Sequence, residues 1–463
     1  MYIQTNFLLG ELMDTIFGVS GLRGVIGDGL SPDLIFNYVS SFAKEIPMGT
    51  VVIGNDSRFS GNMVRNAVVS SLLALGFKIL DIGIAPTPTI QFVTKINNAS
   101  GGISITASHN PEKWNGLKFI DSNGIFFNEK KINSIKKNLE EKNFKFQTYD
   151  KLGIIVEDPK AKEIHINSVL QKINFDCFNN SKLTVAIDAC NAAGSEFIPD
   201  FIEKLGSNIV KLNCDSNASF PRNPEPLKEN LLYFSDFIKQ KGNIDVGFAL
   251  DGDADRVAIL DEKGNYIGEE NTLVLASKFF IEYLNPPNKT VVTNLSTTRA
   301  LDDVVASLGG RVQRAKVGEI NVVEEMIRVN ASIGGEGNGG VILPMVQYAR
   351  DSLCAISLIL LGLSKSKLPL SAIVSELPKY YMIKDKISIS RSSFEKNLYY
   401  IKEFFKGHQY SDIDGLKFDI DDSWIHIRPS NTEPIVRIIA ESKSIEKANN
   451  LVEEIKNLMK SPC

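Results

Sequence analysis

Asp251, Asp253 and Asp255 alternate along one short segment that follows the apolar run 246–250 and closes with Arg256. Carboxylates at i, i+2 and i+4 can converge on one hard divalent cation. Oxygen-only ligands suit Mg2+, which is commonly held by carboxylates together with substrate phosphate. An acidic solvated turn would have the same composition, but three acids crowded after a buried strand repel one another unless something neutralises them. An EF-hand is excluded, because the glycine after the third acid and the distal glutamate are missing. A second segment, 103–111, runs from a short apolar strand into Ser108, His109, Asn110 and Pro111. Pro111 keeps Asn110 out of helical geometry. A serine beside a histidine at a strand end is a candidate nucleophile. Adjacent side chains usually diverge, however, and an ordinary turn has the same residues.

Two further loops complete the set. Residues 334–340 hold five glycines around Glu336 and Asn338, so backbone can approach a ligand closely, and one carboxylate and one amide presented this way suit sugar hydroxyls. A hinge would use the same glycines. Residues 428–434 bring Arg428, Ser430, Asn431 and Thr432 together between two strands, with Arg437 just beyond. An arginine, two hydroxyls, an amide and free backbone N–H groups suit a phosphate, as well as a plain hairpin. Taken together, the four loops describe a site for a phosphorylated polyol.

The chain that must position these loops has 463 residues, enough for about three or four domains. Strand, helix and strand recur at 51–80, 184–212 and 290–313. The first helix, 62–75, ends at Gly76, a C-cap signal. This pattern predicts three α/β domains with mainly parallel sheets. After Pro369 the period changes to alternating strands at 418–420, 423–427 and 435–439, with helices at 392–405 and 444–460. That predicts a smaller C-terminal α+β domain. The expected divisions are 1–157, 158–263, 264–374 and 375–463.

Composition narrows the partners. The formal net charge is −4, so there is no electrostatic case for nucleic acid or an anionic membrane surface. The longest apolar stretch, 353–363, is about half a membrane span and reads as a buried helix. No Lys or Arg precedes Arg23, so a secretory signal is not expected. Five scattered cysteines form no metal-spaced pair and suggest no disulfide framework, which fits a reducing cytoplasm. Cys190 and Cys354 lie in apolar runs and read as core residues.

From Phe17–Gly24 through 428–434, with the four loops in the family's order, the sequence resembles the α-D-phosphohexomutase family. The resemblance implies four domains around a central cleft. It also implies an intramolecular phosphotransferase that interconverts hexose 1-phosphate and 6-phosphate through a sugar 1,6-bisphosphate. By matching motif, Ser108 would carry a phosphoryl group and Asp251, Asp253 and Asp255 would bind Mg2+, with the phosphoserine as a further ligand. Arg23 would contact the phosphoserine region, and His109 and Lys118 would be the acid and base candidates. Arg256 and Lys316 would reach the sugar phosphate, and Glu336 and Asn338 would read its hydroxyls. Arg428, Ser430, Asn431, Thr432 and Arg437 would hold the phosphate not being transferred. The form of the sugar loop, with Trp114 after the serine loop, resembles the phosphoglucosamine mutase branch; phosphoglucomutase or phosphomannomutase is the alternative. A metal-dependent phosphatase and a non-catalytic sugar-phosphate binder are the rival readings. The expected partner is a small phosphosugar, and the expected state a monomer or homodimer. Residues before Met13 would be an extension or an upstream start.

Overall fold

The computed structural model describes residues 15–173, 182–389, 391–430 and 435–460. Short β-branched runs become the central strands of the first domain. Thr50–Asn55 pairs in parallel with Lys78–Ile84 on one side and Gly101–Ile105 on the other. Val51, Val52 and Ile53 are fully buried, as expected of a strand covered on both faces. The helix Gly61–Ala74 stops where predicted, with Gly76 at φ +87°, a conformation that a side chain would strain. The sheet then departs from a purely parallel pattern. Trp114–Asp121, Gly21–Val25 and Thr15–Gly18 add in antiparallel order at one edge, and Ile154–Glu157 adds in parallel at the other.

The second and third domains repeat one plan: three parallel strands and an antiparallel edge. Their sheets run Val257–Leu260, Val246–Leu250, Thr184–Asp188, Asn208–Leu212 and Arg311–Ala315, Thr290–Asn294, Ile333–Glu336, Gly340–Ile342. The apolar stretch at 353–363 lies within the helix Ser352–Ser366, which is buried from Ser352 to Ser364 in a core shared by both domains. No helix among the described residues is long and apolar enough to cross a membrane.

The fourth domain is an antiparallel sheet of five strands in the order Tyr381–Ile387, Val436–Ser442, Ser423–Pro429, Leu416–Ile420, Gln409–Ser411. Its core, including Phe418, Ile425, Ile438 and Ile455, is separate from the others. A buried polar junction ties the first three domains. His165 Nε2 lies 2.8 Å from Asp351 Oδ2 and its Nδ1 lies 3.0 Å from Thr89 Oγ1. The Gln347 amide donates to Asp351 at 2.9 Å and to the Pro88 carbonyl at 3.1 Å. Three of the four loops therefore sit on a common frame, each at the C-terminal end of a parallel strand.

Candidate active site

Ser108 follows the strand Gly101–Ile105 by a sharp turn and is buried, with φ +52°. A non-glycine residue persists in the left-handed region only when its surroundings over-determine it. Here the determinant is Arg58, a fully buried side chain. Its Nη2 donates to the carbonyls of Ser108 (2.6 Å) and Asn110 (2.8 Å), and its Nη1 to those of Pro111 (2.7 Å) and Trp114 (3.0 Å). Its Nε is paired with Asp56 at 2.8 Å, and Asp56 also accepts from Thr106 Oγ1 at 2.6 Å. One guanidinium thus supports four carbonyls of the serine loop. No motif singled out Arg58; its only sequence signal is Asp56 two residues earlier, a common turn arrangement.

The loop of Asp251, Asp253 and Asp255 meets this turn directly. Ser108 Oγ donates to Asp251 Oδ2 at 3.2 Å, accepts from Arg256 Nη2 at 3.3 Å, and lies 3.4 Å from His109 Nδ1. Arg256 Nε is also paired with Asp251 at 2.9 Å. Lys118 Nζ reaches Asp253 Oδ2 at 2.5 Å and Asp255 Oδ2 at 3.3 Å. Thr87 Oγ1 shares Asp253 Oδ2 at 2.5 Å, a contact that adjacent sequence could not reveal. Arg23 Nη1 donates to Asn110 Oδ1 at 3.0 Å.

Burial and the neighbouring Asp255 push the Asp251 carboxyl up to about 7. Burial would raise Asp255 too, but Arg350, Lys118 and Arg256 hold it well below the usual carboxylate range. Burial pulls the Lys118 ammonium down, and Asp253 and Asp255 more than reverse this, so it stays protonated. Burial, then Arg256 and Arg23, hold His109 well below its ordinary value, so its imidazole is neutral.

The three aspartates each offer an oxygen within 4.8 Å of the others. Asp253 Oδ1 and Asp255 Oδ1 are buried and accept no hydrogen bond among the described residues, Arg256 Nε coming no nearer than 3.6 Å to Asp255 Oδ1. A buried anionic oxygen without a donor is costly, and these two suit a divalent cation. The residues present fit Mg2+.

The glycine-rich loop 334–340 is tied to the aspartate loop 251–255 through Arg350, which motif reading also missed. Its Nη2 reaches Asp255 Oδ2 at 2.6 Å, its Nη1 reaches Glu336 Oε2 at 2.7 Å, and its Nε reaches Glu319 Oε2 at 2.9 Å. Glu336 Oε1 accepts from Asn294 Nδ2 at 2.9 Å and from the Gly318 N–H at 3.0 Å. Asn338 turns its Oδ1 back to the Gly340 N–H at 3.3 Å. Lys316 is exposed on the same turn as Gly318.

From that turn the contacts continue into the fourth domain. The Val317 N–H donates to Asp414 Oδ2 at 3.0 Å, and Arg428 Nη1 is paired with the same oxygen at 3.0 Å. Arg428 stands directly opposite Arg437, and Arg437 opposite Lys386, in adjacent strands. Like charges facing one another across a sheet are destabilising, so this row favours an anion. The Ser430 N–H donates to the Ile435 carbonyl at 2.8 Å. Asn431 and Thr432 lie outside the described residues.

Three α/β domains, a fourth α+β domain and a serine beside a buried triad of aspartates define a phosphohexomutase. Domain models described as phosphoglucomutase/phosphomannomutase domains I, II and III and C-terminal domain match residues 14–146, 163–264, 268–381 and 386–458 in turn. The chain belongs to the phosphoglucomutase/phosphomannomutase family. It is 36% identical over 453 residues to a Pyrococcus horikoshii protein named "Probable phosphoglucosamine mutase", covering 97% of this chain and 98% of that one. It is 34% identical to a Thermococcus kodakarensis protein named "Phosphoglucomutase/phosphomannomutase", covering 95% and 97%. A crystal structure of a phosphoglucomutase/phosphomannomutase family protein from Burkholderia thailandensis superposes with a TM-score of 0.83 at 25% identity, covering 96% and 97% of the two chains.

Proposed function

We propose that this enzyme interconverts glucosamine 6-phosphate and glucosamine 1-phosphate, with Ser108 as the phosphoryl carrier. The observation that carries the reading is the contact of Ser108 Oγ with Asp251 and Arg256 across the junction of two domains. It is supported by full-length similarity to relatives named as probable phosphoglucosamine mutases.

In the forward half-reaction the free sugar hydroxyl bonds to the phosphorus on Ser108. The bond from phosphorus to Ser108 Oγ breaks as the sugar hydroxyl gives up its proton. Neutral His109 is suited to take that proton and to return it in the reverse step. Protonated Lys118 is suited to supply one to the departing Ser108 Oγ and to take it back on reversal. Mg2+ held by Asp251, Asp253 and Asp255 would supply positive charge where the transferring phosphoryl group is most negative. Arg256 and Arg23 add fixed positive charge at the same turn, which is most of what phosphoryl transfer asks of a protein.

The product of that half-reaction is a sugar 1,6-bisphosphate. It turns around, and its other phosphate returns a phosphoryl group to Ser108. Arg428 and Arg437, with Ser430, Asn431 and Thr432 on their loop, hold whichever phosphate is not reacting. Lys316 lies on the turn that leads to them. Glu336 uses about three of its four lone-pair positions on protein donors, leaving one for a sugar hydroxyl beside Asn338. A site that grips the 3- and 4-hydroxyls does not by itself select at C2, so glucose and mannose phosphates should turn over more slowly rather than not at all. Comparing kcat/KM for the 6-phosphates of glucosamine, glucose and mannose tests this reading. Glucosamine 6-phosphate should be preferred; its failure to react beside good rates for the others would overturn the substrate assignment.

A further inference from the structure

Arg350 lies outside all four loops, between the strand Gly340–Ile342 and the helix Ser352–Ser366. Its guanidinium nevertheless joins three carboxylates from three separate segments: Asp255, Glu319 and Glu336. Two features fix it there. Gly340 leaves room for its stem, since a Cβ at that position would stand 2.3 Å from Arg350 Cδ. The next residue, Asp351, caps the helix through the Leu353 N–H at 2.9 Å and is locked to His165 at 2.8 Å in the three-domain junction.

We propose that Arg350 is a positioning residue that sets the orientation of two carboxylates at once, that of Asp255 toward the metal and that of Glu336 toward the sugar. The proposal rests on the mutase reading above. Arg350 holds Asp255 Oδ2 at 2.6 Å, closer than Lys118 at 3.3 Å, and the other oxygen, Asp255 Oδ1, accepts no hydrogen bond among the described residues, with Arg256 Nε 3.6 Å away. It occupies Glu336 Oε2 in the same way, while Asn294 and Gly318 hold Oε1. A planar fork of N–H donors fixes three directions at once; an ammonium is a point charge and does not. The distance between the transferring phosphoryl group and the gripped hydroxyls would then depend on one side chain that touches neither.

The test compares wild type, R350K, R350A, E336Q and the double variant R350K/E336Q. Mn2+ binding is followed by electron paramagnetic resonance, kcat and KM are measured for glucosamine 6-phosphate, and melting is recorded for each protein. R350K should stay folded, bind Mn2+ about tenfold more weakly and raise KM about tenfold, the range in which residues behind metal ligands act. The effect of E336Q on KM should shrink in the R350K background, because Glu336 is already misaligned there. R350A should recover part of its Mn2+ affinity and activity when methylguanidinium is added. Wild-type Mn2+ affinity and KM in R350K would overturn the proposal. So would additive effects in the double variant, no rescue by methylguanidinium, or unfolding of both R350K and R350A, each of which leaves Arg350 a purely structural role. If wild type turns over no phosphosugar, the mutase reading fails instead, and the Mn2+ measurement still decides the Asp255 half.

Discussion

The carbonyl oxygen of Ser108 lies only 2.3 Å from where a Cβ on Gly252 would be. The serine loop of one domain is therefore seated on the aspartate loop 251–255 of the next, with no room for a side chain between them. Gly252→Ala should push the two loops apart while each domain keeps its own core. A displacement on the order of 1 Å can cost about 10²-fold in rate, so kcat should fall by about that much with little change in melting temperature. Steady-state kinetics beside a thermal melt would check it, and near-wild-type kcat would show that the seating is not needed.

Activity should disappear with a chelator and return with Mg2+. Asp253→Asn should weaken divalent binding and rate together, because a carboxamide lacks the charge of the carboxylate. Calorimetric titration with Mg2+ alongside assays in metal-free buffer would measure both. Wild-type rates without a divalent ion would remove the metal from the account.

Arg428, Arg437 and Lys386 form a row across three strands, with Arg428 paired to Asp414 at 3.0 Å. Arg428→Ala should chiefly raise KM for the phosphosugar. A hydrogen bond to a charged group contributes about 1.5–3 kcal/mol, or roughly 10- to 100-fold. An unchanged KM would place the phosphate clamp elsewhere.

His426 joins the third and fourth domains. Its Nε2 lies 2.6 Å from the Asp414 carbonyl, which can only accept, so Nε2 carries the proton and Nδ1 accepts from Ser296 Oγ at 2.8 Å. Burial outweighs the pull of Asp414 and holds the imidazole down to about 4, against an ordinary value of 6.5. Between those values the unfolded chain binds a proton that the folded one refuses. Stability from this group is therefore intact above pH 6.5 and falls as the pH drops toward about 4. The loss should be about 1.4 kcal/mol for each pH unit in that window. Melting of wild type and His426→Gln at pH 7.5 and 5.5 would isolate it, the variant showing the smaller pH dependence. Equal dependence would mean that His426 is not held neutral.

The parts of the site that could be read from sequence are those that sit on short motifs. Asp251, Asp253 and Asp255 announce themselves by spacing, and Ser108 by its place between a strand and Pro111. The parallel strands of the three α/β sheets followed from the recurring strand, helix and strand pattern, although the first sheet is half antiparallel in its pairings. The antiparallel edge formed by Gly21–Val25 and Trp114–Asp121 did not, since it joins segments far apart in the chain. Arg58, Thr87, Glu319 and Arg350 were illegible for the same reason. Each is a common residue in an ordinary local context, and each acquires its role only when tertiary packing brings it against a loop from elsewhere. Glu336 was visible as a polar residue among glycines, but the Arg350 ion pair that orients it lay beyond any local pattern.

The central claim is that Ser108 donates a phosphoryl group to the sugar. The most direct measurement loads Ser108 with 32P from a labelled sugar 1,6-bisphosphate, removes free label and mixes the protein with unlabelled glucosamine 6-phosphate in a single turnover. The expected result is loss of label from the peptide containing Ser108 and its appearance in glucosamine 1,6-bisphosphate, with Ser108→Ala taking up none. Label that stays on the protein, or leaves only as inorganic phosphate, would contradict the account.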